Sequence, residues 1–116
     1  MKNRKVCIAK RLKQARLAFG VSQKKLGMLV GIEEHSASVR MNQYETGKHT
    51  PNFLTLQNIG KVLGYPVAFF SSDDDLVSEI IHLTAKLSEA DKEELLSVAK
   101  GLVLNRQGKS TYAKNS

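Results

Sequence analysis

The chain has 116 residues, 41% hydrophobic and 25% charged, which suits one compact domain with a short appended element and excludes a large enzyme with separate cofactor and substrate domains. The apolar share is too high for a disordered chain, and no apolar run approaches the roughly 18 residues of a membrane helix. Lys and Arg number 18 against 11 Asp and Glu, so the net charge is +7 and a polyanionic partner is the first expectation.

The periodicity is helical throughout. Ile8, Leu12, Ala15 and Phe19 recur at i, i+4, i+7 and i+11, placing one apolar stripe on a first helix that Gly20 ends. Ser22 is the N-cap of a short second helix, Gln23 to Val30, with Leu26, Leu29 and Val30 apolar; Gly31 breaks it. The polar stretch Glu33-Glu34-His35-Ser36 follows. A third helix then runs from Ala37 to Thr46 and stops at Gly47. Lys48 to Asn52 reads as a loop, with Pro51 biasing Thr50 toward an extended shape. Leu54 to Leu63 forms a fourth helix with Leu56, Ile59 and Leu63 on one face, and Gly64 ends it. Pro66 to Phe70 fits a single helical turn that starts at proline.

A boundary falls at Ser71-Ser72-Asp73-Asp74-Asp75, where the three acids serve as caps and dipole partners of the next helix. Beyond it, Leu76, Ile80, Leu83 and Leu87 mark one amphipathic pattern over residues 75–87. A second opens with Ser88-Glu89-Ala90-Asp91, a capping-box-like start, and carries Leu95, Val98 and Leu102 on its apolar face. No alternating strand pattern and no internal repeat is visible.

The charge is uneven. Residues 1–70 hold 12 basic and 3 acidic side chains; residues 71–116 hold 6 basic and 8 acidic. A basic first part beside a mildly acidic second part describes a polyanion-binding module joined to something else. Two short helices joined by a turn, the second presenting a polar face, is the helix-turn-helix plan for reading DNA. With Gln23 as its first residue, Leu26 and Val30 point inward, Gly27 is small where the helices approach, and Gly31 lies in the turn.

On these residues the chain resembles the lambda-repressor-like, Cro/repressor-type (XRE family) helix-turn-helix domains of bacterial and phage regulators. The matching stretches are Arg11-Leu12-Lys13 and Arg16, Gly20-Val21-Ser22-Gln23-Lys24-Lys25-Leu26, and Val30-Gly31-Ile32. Tyr44-Glu45-Thr46-Gly47-Lys48, Pro51, Leu56, Ile59 and Leu63-Gly64 continue the match, which spans residues 8–70. The resemblance implies a five-helix DNA-binding domain over residues 1–72; with the two amphipathic patterns beyond it, the chain is expected to be all-α, with two additional helices over 73–104 and a basic flexible tail over 105–116. One departure stands out. The family spacing between the turn glycine and the Glu-x-Gly that ends helix three is four residues shorter. Absorbing the difference in the helix would bury Arg40, which is costly without a partner. Assigning Glu33 to Ser36 to a lengthened turn instead buries Met41 and Tyr44 and aligns Gly47 and Pro51.

A helix rotates about 100° per residue. With Ala37, Met41 and Tyr44 inward, Val39, Asn42, Gln43 and Thr46 face outward, with Ser38 and Arg40 at the edges. Asn and Gln pair bidentately with adenine, Arg with guanine, and valine methyls pack on thymine. The resemblance points to Ser38, Val39, Asn42 and Gln43 as base readers, to which the outward face adds Arg40. It points to Gln23, followed by Lys24, and to the loop of Lys48 and His49 for phosphate contacts. Arg11 and Lys13 are expected to flank the DNA backbone, and Lys2, Arg4 and Lys5 to form a flexible arm.

No other constellation carries chemistry. His35, His49 and His82 lack metal-ligand spacing, Cys7 has no local His or Asp partner, and no phosphate-binding glycine loop is present. The chain is expected to be no enzyme, to need no cofactor or metal, and to work in the cytoplasm at the nucleoid; a single cysteine and opening residues without an apolar stretch fit that compartment. The resemblance implies a transcriptional regulator, a repressor that binds an inverted repeat as a homodimer through residues 75–104. Three alternatives stay open: an antitoxin-type protein whose C-terminal helices hold a protein partner, an RNA-binding accessory protein or nucleic-acid enzyme, and intrachain packing of the last two helices.

Overall fold

A computed structural model describes residues 4–109, with side chains placed from 7 to 106. The helices are α1 (Arg4–Phe19), α2 (Gln23–Leu29), α3 (Glu34–Thr46), α4 (Phe53–Leu63), a 3₁₀ segment (Val67–Ser71), α5 (Asp75–Thr84) and α6 (Glu89–Lys109). No strand occurs among the described residues. None of the helices is long and apolar enough to cross a membrane. The chain divides into two compact units, residues 1–85 and residues 86–116.

The first unit is built around one core. Ile8, Leu12 and Ala15 of α1 meet Leu26 of α2, Met41 and Tyr44 of α3, Leu56, Ile59 and Leu63 of α4, and Phe69 and Phe70 of the 3₁₀ segment. Each large apolar side chain taken out of water here stabilises the fold by about 1.5–3 kcal/mol. The caps are local and polar. Ser22 accepts a hydrogen bond from the Lys25 N–H at 2.9 Å, and Asn52 accepts one from the Thr55 N–H at 2.8 Å.

The structure alters the expected layout at several points. Phe19 is half exposed, because the inward position after Ala15 belongs to Arg16. The arm expected to begin the chain is helical from Arg4, while Lys2 lies outside the described residues. The tail expected from residue 105 is helical to Lys109, and residues 110–116 lie outside the described residues. The division between units falls after Ala85, not after Ser72, because α5 packs on the 3₁₀ segment.

That packing uses a face the spacing did not indicate. Ser78 is the buried residue of α5, Ile81 packs against the core, and the His82 ring stacks on Tyr65 at 3.9 Å between centroids. A small residue at Ser78 lets the helix approach closely. The expected stripe of Leu76, Ile80 and Leu83 is turned outward, each at least half exposed.

Arg11 and the acids before α5 explain why this helix sits where it does. Asp74 caps α5, accepting from the Leu76 and Val77 N–H groups at 2.9 and 3.1 Å. Asp75 pairs with Arg11 at 2.8 Å and Lys10 at 3.4 Å. The Arg11 hydrogen bond, then that of Lys10, holds the Asp75 carboxyl below the ordinary aspartate value of 3.8. A carboxyl whose folded pKa is depressed stabilises the fold above its ordinary value, and that contribution is lost as pH falls through the folded value. Asp75→Asn is therefore expected to melt below the wild type at neutral pH, with the gap closing as pH drops below 3.8. Thermal unfolding of both forms across pH checks this; a gap that stays constant in acid would exclude the charge pairing.

Candidate nucleic-acid interface

Three helices position the face expected to meet DNA. α2 and α3 lie in close contact, and Gly27 sets their separation. A Cβ at Gly27 would stand 2.8 Å from the Ala37 Cβ and 2.9 Å from the Ala37 carbonyl oxygen, closer than real side chains tolerate. The turn between the helices passes through Gly31 at φ 93°, a left-handed conformation that glycine adopts without the penalty of a Cβ. The Ile32 N–H then closes back on the Gly27 carbonyl at 2.9 Å.

Beneath α3 sits a buried ion pair. The Arg16 guanidinium donates two bonds to the Glu45 carboxylate, Nη2 to Oε1 at 3.0 Å and Nε to Oε2. The Arg16 side chain is 10% exposed and that of Glu45 2%. Arg16 also donates to the Val21 carbonyl at 2.8 Å, tying the end of α1 to the start of the motif. This fork-to-fork geometry satisfies both charges away from water.

The ion pair continues to the surface. Gln23 Nε2 donates to Glu45 Oε1 at 3.1 Å and to Asn42 Oδ1 at 3.2 Å. A carboxylate only accepts, so Glu45 fixes which end of the Gln23 amide turns inward. Gln23 in turn makes Asn42 accept through its carbonyl. The Asn42 amide N–H groups are left for a partner outside.

The expected reading residues fall on α3 as a face. Ala37 and Met41 are fully buried and Tyr44 is 9% exposed, while Ser38, Val39, Arg40 and Asn42 are exposed and Gln43 is half-buried. The phosphate candidates separate into three groups. Lys13, Lys48 and His49 are exposed, the last two in the loop after Gly47. Lys24 is exposed and stands 3.3 Å from Glu34. Both hydrogens of the Gln23 amide are taken, which leaves its backbone N–H at the start of α2 for an anion. Arg11, expected beside the DNA backbone, is corrected. Its side chain is 3% exposed, donates to the Ser72 carbonyl at 3.1 Å and lies over the Phe69 ring. It clasps α1 to the segment before α5.

Helix α3 begins at Glu34, with Glu33 at its N-cap position, so three of the four residues assigned to a lengthened turn, Glu34 to Ser36, are helical and the fourth caps them. Burial of Arg40 is avoided all the same, because Met41 and Tyr44 keep the register set by Gly47. The stretch contained the signal: it has no Gly or Pro, and an acid in a first turn is favoured by the helix dipole.

A glycine-spaced helix pair with a polar outer face on the second helix defines a helix-turn-helix protein. Comparison with known proteins agrees. The sequence matches no family model. It is 31% identical over 103 residues to an uncharacterised HTH-type transcriptional regulator of Sinorhizobium medicae (strain WSM419), covering 85% of this chain and 70% of that protein. A relative in Rhizobium meliloti (strain 1021), also an uncharacterised HTH-type transcriptional regulator, matches with the same figures. The fold is similar to the crystal structure of the transcriptional regulator BswR, at a TM-score of 0.76 and 42% identity over 84% of this chain and 96% of that one. The chain belongs to the HTH-type transcriptional regulators.

Proposed function

We propose that this regulator is a Cro/repressor-type repressor that occupies an inverted-repeat operator as a homodimer in the cytoplasm, at the nucleoid. The observation that carries the reading is the outer face of α3. Ser38, Val39, Arg40 and Asn42 stand exposed, with Gln43 beside them, above a core that holds the opposite face rigidly. A recognition helix laid in the major groove presents such a row to base edges, while Lys13, Lys24, Lys48 and His49 meet phosphates at its margins. Occupying an operator in this way blocks polymerase.

Dimerisation rests on two exposed apolar faces. Leu76, Ile80 and Leu83 line α5; Leu95, Val98 and Leu102 line α6. Faces of this kind mark sites that another chain covers. The segment that carries them is mildly acidic where the reader is basic, so two copies meet there without the repulsion the readers would impose.

One binding experiment separates reading from attraction. Asn42→Ala and Gln43→Ala are expected each to weaken binding to the operator by about 1–3 kcal/mol and to leave random duplex almost unchanged. Lys48→Ala is expected to weaken both alike and to lower the slope of log affinity against log salt by about one. Titrations at several salt concentrations measure all three. Equal losses on both duplexes for Asn42→Ala and Gln43→Ala would move base reading to another surface, and an unchanged slope would remove Lys48 from the interface.

A further inference from the structure

We infer that His35 is a further base-reading residue, carried into the groove by the extra turn at the start of α3. This rests on the proposal that the outer face of α3 reads DNA. The observation is one of register. Because α3 starts at Glu34, His35 is helical and lies seven residues before Asn42. Seven residues bring a side chain back to within about 20° of the same direction. His35 therefore stands in one row with Ser38, Val39 and Asn42, and like them it is exposed. It sits three residues before Ser38, about 4.5 Å further along the helix axis, which is roughly one base pair of groove. Recognition helices contact bases chiefly through their N-terminal residues, and His35 is now the first outward one.

The surrounding charges make this placement workable. An acidic turn aimed at DNA is repelled by the phosphates. Here Glu34 has a cationic partner, its Oε2 standing 3.3 Å from Lys24 Nζ, and Glu33 Oε1 lies 3.3 Å from His35 Nδ1. The Glu33 carboxylate lies on the Nδ1 edge of the ring. Nε2, the other ring nitrogen, is then the atom available to bond a base edge. Glu33 thus acts as a positioning residue for His35, much as Gln23 does for Asn42.

The test is selection of binding sites from randomised duplexes by the full chain, as wild type, Asn42→Ala, His35→Ala, His35→Gln and Glu33→Ala. His35→Ala is expected to flatten the preference at one base pair, adjacent to but distinct from the position that Asn42→Ala flattens. It should weaken binding to the selected site by about 5- to 30-fold, with affinity for unrelated duplex and the salt slope unchanged. His35→Gln, which keeps hydrogen-bonding capacity, should retain a preference at that base pair. Glu33→Ala should broaden it. Circular dichroism should show all variants folded, since every altered side chain is exposed. A His35→Ala variant that selects the wild-type site at every position overturns the inference. So does one that loses affinity equally on all duplexes with a shallower salt slope, which would make His35 a phosphate contact. If Asn42→Ala alters the selected site and His35→Ala does not, only the role of the extra turn fails. A wild type that selects no sequence removes the base-reading proposal itself.

Discussion

Replacing Glu45 with alanine is expected to lower the thermal midpoint by roughly 15–30 °C, the largest effect of any single substitution on the helix-turn-helix face. The cause is the charge left behind. Arg16 is 10% exposed at its side chain and donates to both oxygens of Glu45. Without the carboxylate the guanidinium stays buried with only the Val21 carbonyl to satisfy it. Removing one partner of such a pair costs about 3–5 kcal/mol, against a total of about 5–15 kcal/mol for a domain of this size. A cost of that size lowers the midpoint by several degrees per kcal/mol. Replacing both partners with apolar residues of similar shape, Arg16→Met with Glu45→Leu, should recover most of the loss, because no charge remains to be solvated. The two effects then part company. Gln23 still lacks its inner acceptor, so Asn42 is no longer held by a fixed partner. The double variant should therefore fold well and select DNA less sharply. Thermal melts with site selection on the single and double variants measure both quantities. A Glu45→Ala loss below about 1 kcal/mol, the range of exposed pairs, would show that the ion pair is solvated.

This ion pair also shows where sequence reading stops. The apolar stripe of α1 was legible as far as Ala15, and Leu26, Met41, Tyr44, Leu56, Ile59 and Leu63 all entered the core as their spacing implied. Those positions are legible because apolar burial obeys the helical period. Arg16 and Glu45 break that rule. They are buried through each other, 29 residues apart in sequence, and no periodicity announces a partner at that distance. Arg11 is the same case: a basic residue on a basic helix reads as a surface charge until Ser72 and Asp75 are brought beside it. The limits of α3 were obscured for a different reason. Spacing from Gly31 to Gly47 fixed how many residues were extra, and not whether they were helical. Local preference answers that: an acid-led stretch without glycine or proline continues a helix. On α5 the spacing identified the leucine stripe, which stays outside, and gave no sign of the small Ser78 side, which is the side that docks.

Removing residues 86–116 is expected to leave a folded monomer that binds an inverted repeat about 10²- to 10⁴-fold more weakly than the full chain, while half-site affinity barely changes. The cut belongs after Ala85. A cut after Ser72 would remove Asp75 from Arg11 and His82 from its stack on Tyr65, so it would disturb the reader as well as its assembly. The retained unit keeps every residue of the core. What it loses is α6, a helix of 21 residues whose Leu95, Val98 and Leu102 recur at heptad-like spacing and are between 36% and 60% exposed. An amphipathic helix gains most of its stability from packing its apolar face, and on this helix that face is open to a second copy. One reader makes a few base contacts, each worth about 1–3 kcal/mol of discrimination. Tethering two readers makes the second contact intramolecular, and the gain is the effective concentration the tether imposes. Sedimentation of both forms, with titrations on whole and half operators, separates the two terms. A truncated chain that remains dimeric would place the interface on the exposed face of α5, and a full chain that stays monomeric at high concentration would remove the dimer from the mechanism.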